Sequence, residues 1–251
     1  MRATACCCLV LLLVSEGLAD SPDPPLENKR LPISTLIRED IFAGWRQGDM
    51  ERFARGEQNI ELLLEQRPHA KVELLAWKGG TKLFRAVMAN EAGNQEEFQR
   101  LYKEALELFA EAKKAGVPQN FVVSAVTGGS YALFADRLPE ELREAAWEEC
   151  YDNYQVLWSQ QGPVVEKLPH HIKGELLAGL IQSSQRTGRT EEFGRYLDKM
   201  LEVLPDTPYA RIADRWKTDP QAAATGNISC KSCHAEGRLS ARLVVIEDRD
   251  K

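Results

Sequence analysis

Three turns of similar composition interrupt a long helical pattern and limit the folds that this chain can adopt. Between Leu31 and Trp216, apolar residues recur at spacings of three and four, which is typical of amphipathic helices. Strand-like alternation is essentially missing from that range. The turns are Gln47-Gly48-Asp49-Met50-Glu51, Ala92-Gly93-Asn94-Gln95-Glu96 and Thr187-Gly188-Arg189-Thr190-Glu191. Each places a glycine before an acidic helix start, as a helix C-cap followed by an N-terminus requires. The sequence therefore predicts an all-α protein.

The spacing of these turns predicts a repeat. Gly48 and Gly93 are about 45 residues apart, and Gly188 follows Gly93 at about twice that distance. The segment from Asp136 to Glu141 supplies the missing middle turn. A second series of breaks alternates with the first: Arg67-Pro68, Gly116-Val117-Pro118, the stretch from Gly162-Pro163 to Pro169, and Leu204-Pro205. The pattern predicts about four antiparallel helix pairs.

Over residues 33–216 this pattern resembles the tetratricopeptide-like (TPR-like) helical repeats. The spacing from Gly93 to Phe98 fits the turn of that family, and Pro205 after Leu204 fits its closing proline. The period is longer than the usual unit, and no repeat carries the full Trp-Leu-Gly-Tyr series. The resemblance implies a TPR-like solenoid over residues 31–217 that binds a protein in its concave groove. An unrelated helical bundle is the alternative.

Two glycine pairs fall inside predicted helices, at Gly79-Gly80 and Gly128-Gly129. A glycine in a helix interior costs about 1 kcal/mol against alanine, so each pair needs a reason. Close approach between paired helices is one explanation, because it requires a surface without side chains. Room for a ligand is the other.

The N-terminus has the organisation of an export signal. Arg2 precedes a short apolar run, and small residues at Gly17 and Ala19 predict cleavage after Ala19. The apolar run is shorter than the ~20 residues that span a bilayer. Residues 1–19 are therefore predicted as a signal peptide, residues 20–30 as a flexible lead-in, and the mature protein as periplasmic or secreted.

Composition excludes several classes for the mature chain. Its cysteines are Cys150, Cys230 and Cys233, too few for a disulfide scaffold, so a packed core must stabilise the fold. The net charge of −6 argues against nucleic acid and anionic membrane surfaces as partners. Beyond the signal, no apolar run reaches membrane-spanning length, so no membrane span is predicted.

The most specific motif is Cys230-Lys231-Ser232-Cys233-His234. Cys-x-x-Cys-His is the attachment site of a c-type haem. Two thiols at this spacing can add to the two vinyl groups of one porphyrin, and the next histidine can then bind the iron. The motif predicts one covalent haem c, with thioether links at Cys230 and Cys233 and His234 as the metal ligand.

Other interpretations of the cysteine pair stay open. A zinc site would use Cys230, Cys233 and His234 with a fourth ligand, but no second cysteine pair exists. A thiol–disulfide site normally lies in a βαβ unit, and none is visible. A structural disulfide is the third alternative. Too few residues follow His234 for an independent cytochrome fold, so residues 218–251 are predicted as a haem-binding segment and tail, entered through a turn over Asp219–Asn227.

The second axial ligand is left open by the sequence. His170 and His171 are predicted at the surface beside Pro169, and Met200 lies on a predicted buried helix face. A five-coordinate iron is also compatible with the motif. Cys150 lies on an amphipathic stretch and is predicted as a small buried residue.

Two functions follow from these features. The first is an exported helical-repeat protein that binds one haem c and serves electron transfer or haem-linked sensing with a protein partner. The second is a non-redox scaffold whose cysteine pair forms a disulfide or a zinc clip. No arrangement of catalytic side chains stands out, so no enzymatic activity is predicted.

Overall fold

The computed structural model describes residues 33–115 and 121–226. Ten α-helices occupy these two ranges, and no strand occurs within them, so the all-α prediction is confirmed. The helices are α1 (Ile33–Phe42), α2 (Met50–Gln66), α3 (Lys71–Glu91), α4 (Gln95–Ala115), α5 (Phe121–Phe134), α6 (Glu140–Gln161), α7 (His170–Arg186), α8 (Thr190–Val203), α9 (Pro208–Thr218) and α10 (Pro220–Thr225). The predicted export signal and the haem motif lie outside the described residues.

The predicted glycine turns are present. Their glycines adopt the left-handed backbone conformation, which other residues rarely adopt: Gly48 (φ 73°), Gly93 (φ 75°) and Gly188 (φ 72°). Polar side chains start two of the following helices. Asp49 accepts a hydrogen bond from the Arg52 backbone N–H at 3.0 Å, and Asn94 accepts one from that of Glu97 at 3.2 Å. These caps satisfy backbone donors that a helix N-terminus leaves unpaired.

The helices pack as pairs: α1 with α2, α3 with α4, α5 with α6, and α7 with α8. Because only a few residues connect the members of each pair, they run antiparallel. The predicted middle turn is confirmed, since α6 begins at Glu140 after a short 3-10 turn, Ala135–Arg137. All four connecting turns therefore lie at the same end of the helix pairs.

Successive odd-numbered helices also contact one another, α3 with α5 and α5 with α7. The pair Gly79-Gly80 makes room for two of the neighbours of α3. A Cβ atom on Gly79 would lie 2.7 Å from the ring of Phe109 on α4, and one on Gly80 would lie 2.6 Å from the Ser130 Oγ on α5. At this pair the close-approach explanation is confirmed.

At the second glycine pair, the close-approach explanation is confirmed for one glycine and not for the other. A Cβ atom on Gly128 would lie 3.1 Å from the Cβ of Asn153 on α6, so this glycine permits helix packing. At Gly129, a Cβ atom would have no neighbour within 4 Å. Gly129 therefore faces open space on α5.

Helix α7 lies at the centre of the C-terminal half. From Lys173 to Ser184, every residue except Glu175 is buried. Its neighbours include α5, α6, α8 and α10, which together cover its circumference. A helix that is buried on all sides has no solvent-facing side that would require charged residues. This explains why amphipathic periodicity is weak in its sequence.

The stretch predicted as a connecting turn after α9 is mostly helical, so that prediction was wrong. Asp219 accepts a hydrogen bond from the Ala222 backbone N–H at 3.0 Å and starts α10, with Pro220 in its first turn. An aspartate cap followed by proline is a favourable helix start. Ala223 is fully buried, and α10 packs on α7 and α9.

Candidate functional site

The predicted haem ligands Cys230, Cys233 and His234 lie outside the described residues. The structure does describe the chain that leads to them, up to Gly226. A Cβ atom on Gly226 would lie 2.6 Å from the indole of Trp216, so the chain passes directly against that buried ring. The start of the predicted haem-binding segment is thus packed on the helical array.

Arg186, the last residue of α7, holds this part of the chain. Its Nη1 donates to the carbonyl oxygen of Ala223 at 2.8 Å, and its Nη2 donates to that of Gly226 at 3.2 Å. The same Nη2 donates to the Asp136 carboxylate at 3.0 Å. The Arg186 side chain is only 10% exposed, so its bonds to the two carbonyl oxygens are partly shielded from water, whereas the Asp136 side chain is 51% exposed.

An aromatic ring completes the arrangement. The guanidinium carbon of Arg186 lies 5.4 Å from the centre of the Trp147 ring, a distance at which cation–π attraction operates. The indole N–H of Trp147 donates to Asp136 at 2.7 Å. We call the side chains of Asp136, Trp147 and Arg186, with the carbonyls of Ala223 and Gly226, the Arg186 anchor. It ties the residue that follows α5, the body of α6 and the end of α7 to the chain that leads to Gly226.

The anchor fixes where the described part of the chain ends. Cys230 follows Gly226 by four residues, and four residues span at most about 14 Å when fully extended. Because Gly226 and Asp136 bind the same nitrogen of Arg186, the chain leaves the described region beside the C-terminal end of α5. The described chain therefore ends beside α5, four residues before the first cysteine of the motif.

The candidates for a second axial ligand differ in their access to this region. Met200 is fully buried in the main hydrophobic cluster, which confirms the prediction of a core role. His170 and His171 are exposed, as predicted, but they start α7. With 1.5 Å of rise per residue, they lie about 24 Å along the axis from Arg186. They therefore lie at the opposite end of α7 from the Arg186 anchor.

Cys150 is a buried, uncrosslinked thiol on α6. Its Sγ lies 3.4 Å from the carbonyl oxygen of Gly128, to which it donates. Burial is the main cause that raises the pKa of this thiol well above its ordinary value, and the nearby Asp136 carboxylate adds to the effect. The predicted buried role is confirmed.

A cleft of about 720 Å³ opens between α6 and α8, where the charged side chains are largely paired with one another. Tyr196 accepts hydrogen bonds from Gln155 at 3.0 Å and from Arg195 at 3.2 Å. Lys199 pairs with Glu166 and Glu202, each at 3.1 Å. Such an arrangement stabilises the helix contact.

Within residues 33–115 and 121–226 there is no group of three or more His, Cys, Asp or Glu side chains that could hold a metal ion. In the same two ranges, no helix combines the length and apolar character needed to cross a bilayer. The predictions about Cys230, Cys233 and His234 stay predictions, since those residues are not described.

Sequence analysis did not single out Arg186. Its partners Asp136 and Gly226 are 50 and 40 residues away in the chain, so no local sequence pattern predicts these two contacts. The anchor is therefore a product of tertiary packing.

The chain was compared with family models, curated proteins and solved structures. No family model matches the chain, and neither the curated proteins nor the solved structures contain a significant match.

Proposed function

We propose that this chain is an exported helical-repeat protein that carries one covalent haem c and exchanges electrons with a protein partner. Haem-linked sensing through the same group is the closest variant of this role. The motif Cys230-x-x-Cys233-His234 downstream of an export signal is the observation that carries the proposal. Its donor set fits the group, since it offers two thiols for the vinyl groups and one imidazole for the iron.

Each part of the chain has a distinct task in this proposal. Cys230 and Cys233 form the thioether links, and His234 binds the iron. Covalent haem supplies a one-electron couple at a potential that ligation and burial set. The Arg186 anchor fixes the chain just before the motif, which favours a defined haem position over a freely moving one.

The helical array provides the partner surface in this proposal. We infer a TPR-like solenoid because four antiparallel pairs pack in order and the odd-numbered helices contact one another in succession. Solenoids of this kind present extended binding surfaces. A partner docked near the turn end of the array would lie beside the anchored start of the haem segment.

A reduced pyridine haemochrome spectrum tests the cofactor. The full chain with its signal is expressed in a host that matures c-type cytochromes, beside the Cys230→Ala/Cys233→Ala variant and a Cys150→Ala control. We expect a c-type band that survives denaturation in the wild type and the control, and its loss in the double variant. Because the spectrum is read on unfolded protein, a folding defect in the control does not affect it.

A missing band in all three proteins would overturn the haem proposal. The chain would then be a non-redox helical scaffold with a fastened tail. Thiol titration of the unfolded protein and a zinc assay would decide between a disulfide and a metal clip.

A further inference from the structure

Helix α5 combines an apolar composition with an exposed face. Its sequence from Phe121 to Phe134 contains no charged residue, and among the other described helices only the short α10 shares this property. A helix that is apolar all round is normally buried all round. Here Phe121 is 52% exposed and Ala125 is also exposed, while Gly129 and Leu133 are half-buried. We call these four residues the α5 face.

The residues of the α5 face follow one another at spacings of four, so they form one stripe along the helix. The open space at Gly129 lies in the middle of this stripe. Neighbouring α4 shows what a solvated helix looks like in this protein, with Arg100 paired to Glu97 and Glu104 on its surface. The α5 face has the chemistry of a contact surface.

The anchor indicates which part of the molecule covers this face. Arg186 joins the Gly226 carbonyl to Asp136, which lies two residues after the end of α5. The chain therefore leaves the described region beside the Leu133 end of the α5 face. Residues 227–251 follow from that point, and twenty extended residues span far more than the ~20 Å length of α5.

The composition of residues 227–251 and the packing of the chain just before them also favour the α5 face as their contact surface. The sequence after the motif contains a cluster of apolar residues: Leu239, Leu243, Val244, Val245 and Ile246. The residues just before the motif already pack on α7 through α10, and α7 contacts α5. Extending this packing by one helix places the apolar cluster on the α5 face.

We propose that residues 227–251 dock on the α5 face, with the apolar side chains after His234 covering Phe121, Ala125 and Gly129. The proposal rests on the proposed function only in identifying this segment as the one that carries haem. It assigns α5 as the helix against which the haem-bearing segment is held. Burial on this face would restrict solvent access to the segment and so influence the potential of its haem.

Photo-cross-linking on the mature full chain tests this placement. The residue p-benzoyl-phenylalanine replaces Ala125, and in a matched control it replaces Leu106, which is 41% exposed on α4. Mixing isotopically light and heavy protein separates cross-links within a chain from those between chains. We expect an intrachain cross-link from position 125 to a peptide within residues 227–251, and none from position 106.

A link from position 125 to a second chain would overturn the proposal in favour of a dimer interface. The proposal would also be overturned if position 125 formed no more cross-links to residues 227–251 than position 106 does. A second measurement uses natural side chains. Ala125→Glu should cause loss of hydrogen-exchange protection in residues 235–250, whereas Leu106→Glu should not. Unchanged protection in Ala125→Glu would also contradict docking.

Repeating the cross-link in the Cys230→Ala/Cys233→Ala variant keeps the two proposals apart. In the wild type, a missing haemochrome band together with the intrachain cross-link would overturn the haem and leave docking supported. A haemochrome band without the cross-link would overturn docking and leave the haem supported.

Discussion

Contacts between odd-numbered helices and contacts between even-numbered helices are made by different means. Where α3 meets α5, small side chains allow a close approach, as at Gly80 and Ser130. Long polar side chains join α4, α6 and α8 instead. Lys113 on α4 pairs with Glu149 on α6, and Arg189, just before α8, reaches Glu148 on α6.

We call the odd-numbered helices the odd row and the even-numbered helices the even row. The difference between their contacts indicates which physical variable the stability of each row responds to. Close steric contacts respond to volume, because a packed interior has few voids to accept an added atom. Exposed ion pairs respond to salt and pH, and each stabilises a protein by only ~0.2–1 kcal/mol. The odd row should therefore tolerate substitution poorly, and the even row should tolerate it well.

Gly179→Ala should give the largest loss of stability. A Cβ atom at Gly179 on α7 would lie 2.0 Å from the Cζ of Tyr154, which is 4% exposed. Overpacking of this kind costs about 3 kcal/mol, more than the ~1 kcal/mol that alanine gains over glycine in a helix. Urea denaturation should show a lower free energy of unfolding.

Gly194→Ala on α8 is the matched control for this substitution. A Cβ atom at Gly194 would meet nothing within 4 Å. The same change should therefore stabilise the protein, by about 0.4–1 kcal/mol, through the lower entropy of the unfolded chain. Equal effects of the two substitutions would break the comparison between the rows.

Arg186→Gln tests a long, largely buried charged side chain on an odd-numbered helix. Its loss removes the hydrogen bonds to the Ala223 and Gly226 carbonyls and to Asp136. Hydrogen bonds to a charged group contribute about 1.5–3 kcal/mol, so we expect a loss of about 2 kcal/mol, felt mainly in α10. Hydrogen exchange should show reduced protection of residues 219–226.

The control for Arg186→Gln is Arg100→Gln on α4. The Arg100 side chain is 54% exposed and pairs with Glu97 and Glu104. We expect a change within about 0.5 kcal/mol and no effect on residues 219–226, because exposed pairs contribute little. If Arg186→Gln left the protection of α10 unchanged, the anchor would not hold the chain.

The sequence was informative where the physics is local. Gly48, Gly93 and Gly188 each create a turn by themselves, because a positive φ favours glycine whatever surrounds it. Helix pairs and the all-α class follow from those turns and from apolar periodicity. The signal for the start of α10 was also local, since Asp219-Pro220 is a typical helix start. It was missed because the surrounding Pro, Gly and small residues are typical of a turn.

The remaining features depend on residues that are distant in the chain. Nothing near Arg186 predicts that it binds Asp136 and Gly226, and nothing in α5 says which of its apolar side chains stay exposed. Burial of α7 on all sides likewise requires its four neighbours to be placed first. The cysteine motif differs from these contacts, because the residues that carry its predicted chemistry lie within five adjacent positions.

Glu148→Gln should give a small, salt-dependent change in the even row. The Arg189 guanidinium donates to Glu148 at 2.9 and 2.7 Å, and both side chains are partly exposed. We expect a loss of about 0.5 kcal/mol at low salt that shrinks at 1 M salt, where charges are screened within about 3 Å. Thermal unfolding at both salt concentrations measures it, and a loss that persists at high salt would contradict an electrostatic origin.

Lowering the pH should cause the smallest of these changes in stability, through the Glu148–Arg189 pair. The hydrogen bond from Arg189 is the largest cause that lowers the pKa of Glu148 in the folded protein. Because the folded pKa lies below the unfolded value of about 4.3, the pair stabilises the protein fully above that pH. Its contribution is lost as the pH falls through the lowered folded value. The stability difference between wild type and Glu148→Gln should therefore be constant from pH 6 to 8 and vanish under strong acid, whereas that between wild type and Gly179→Ala should persist there, since steric overlap does not titrate.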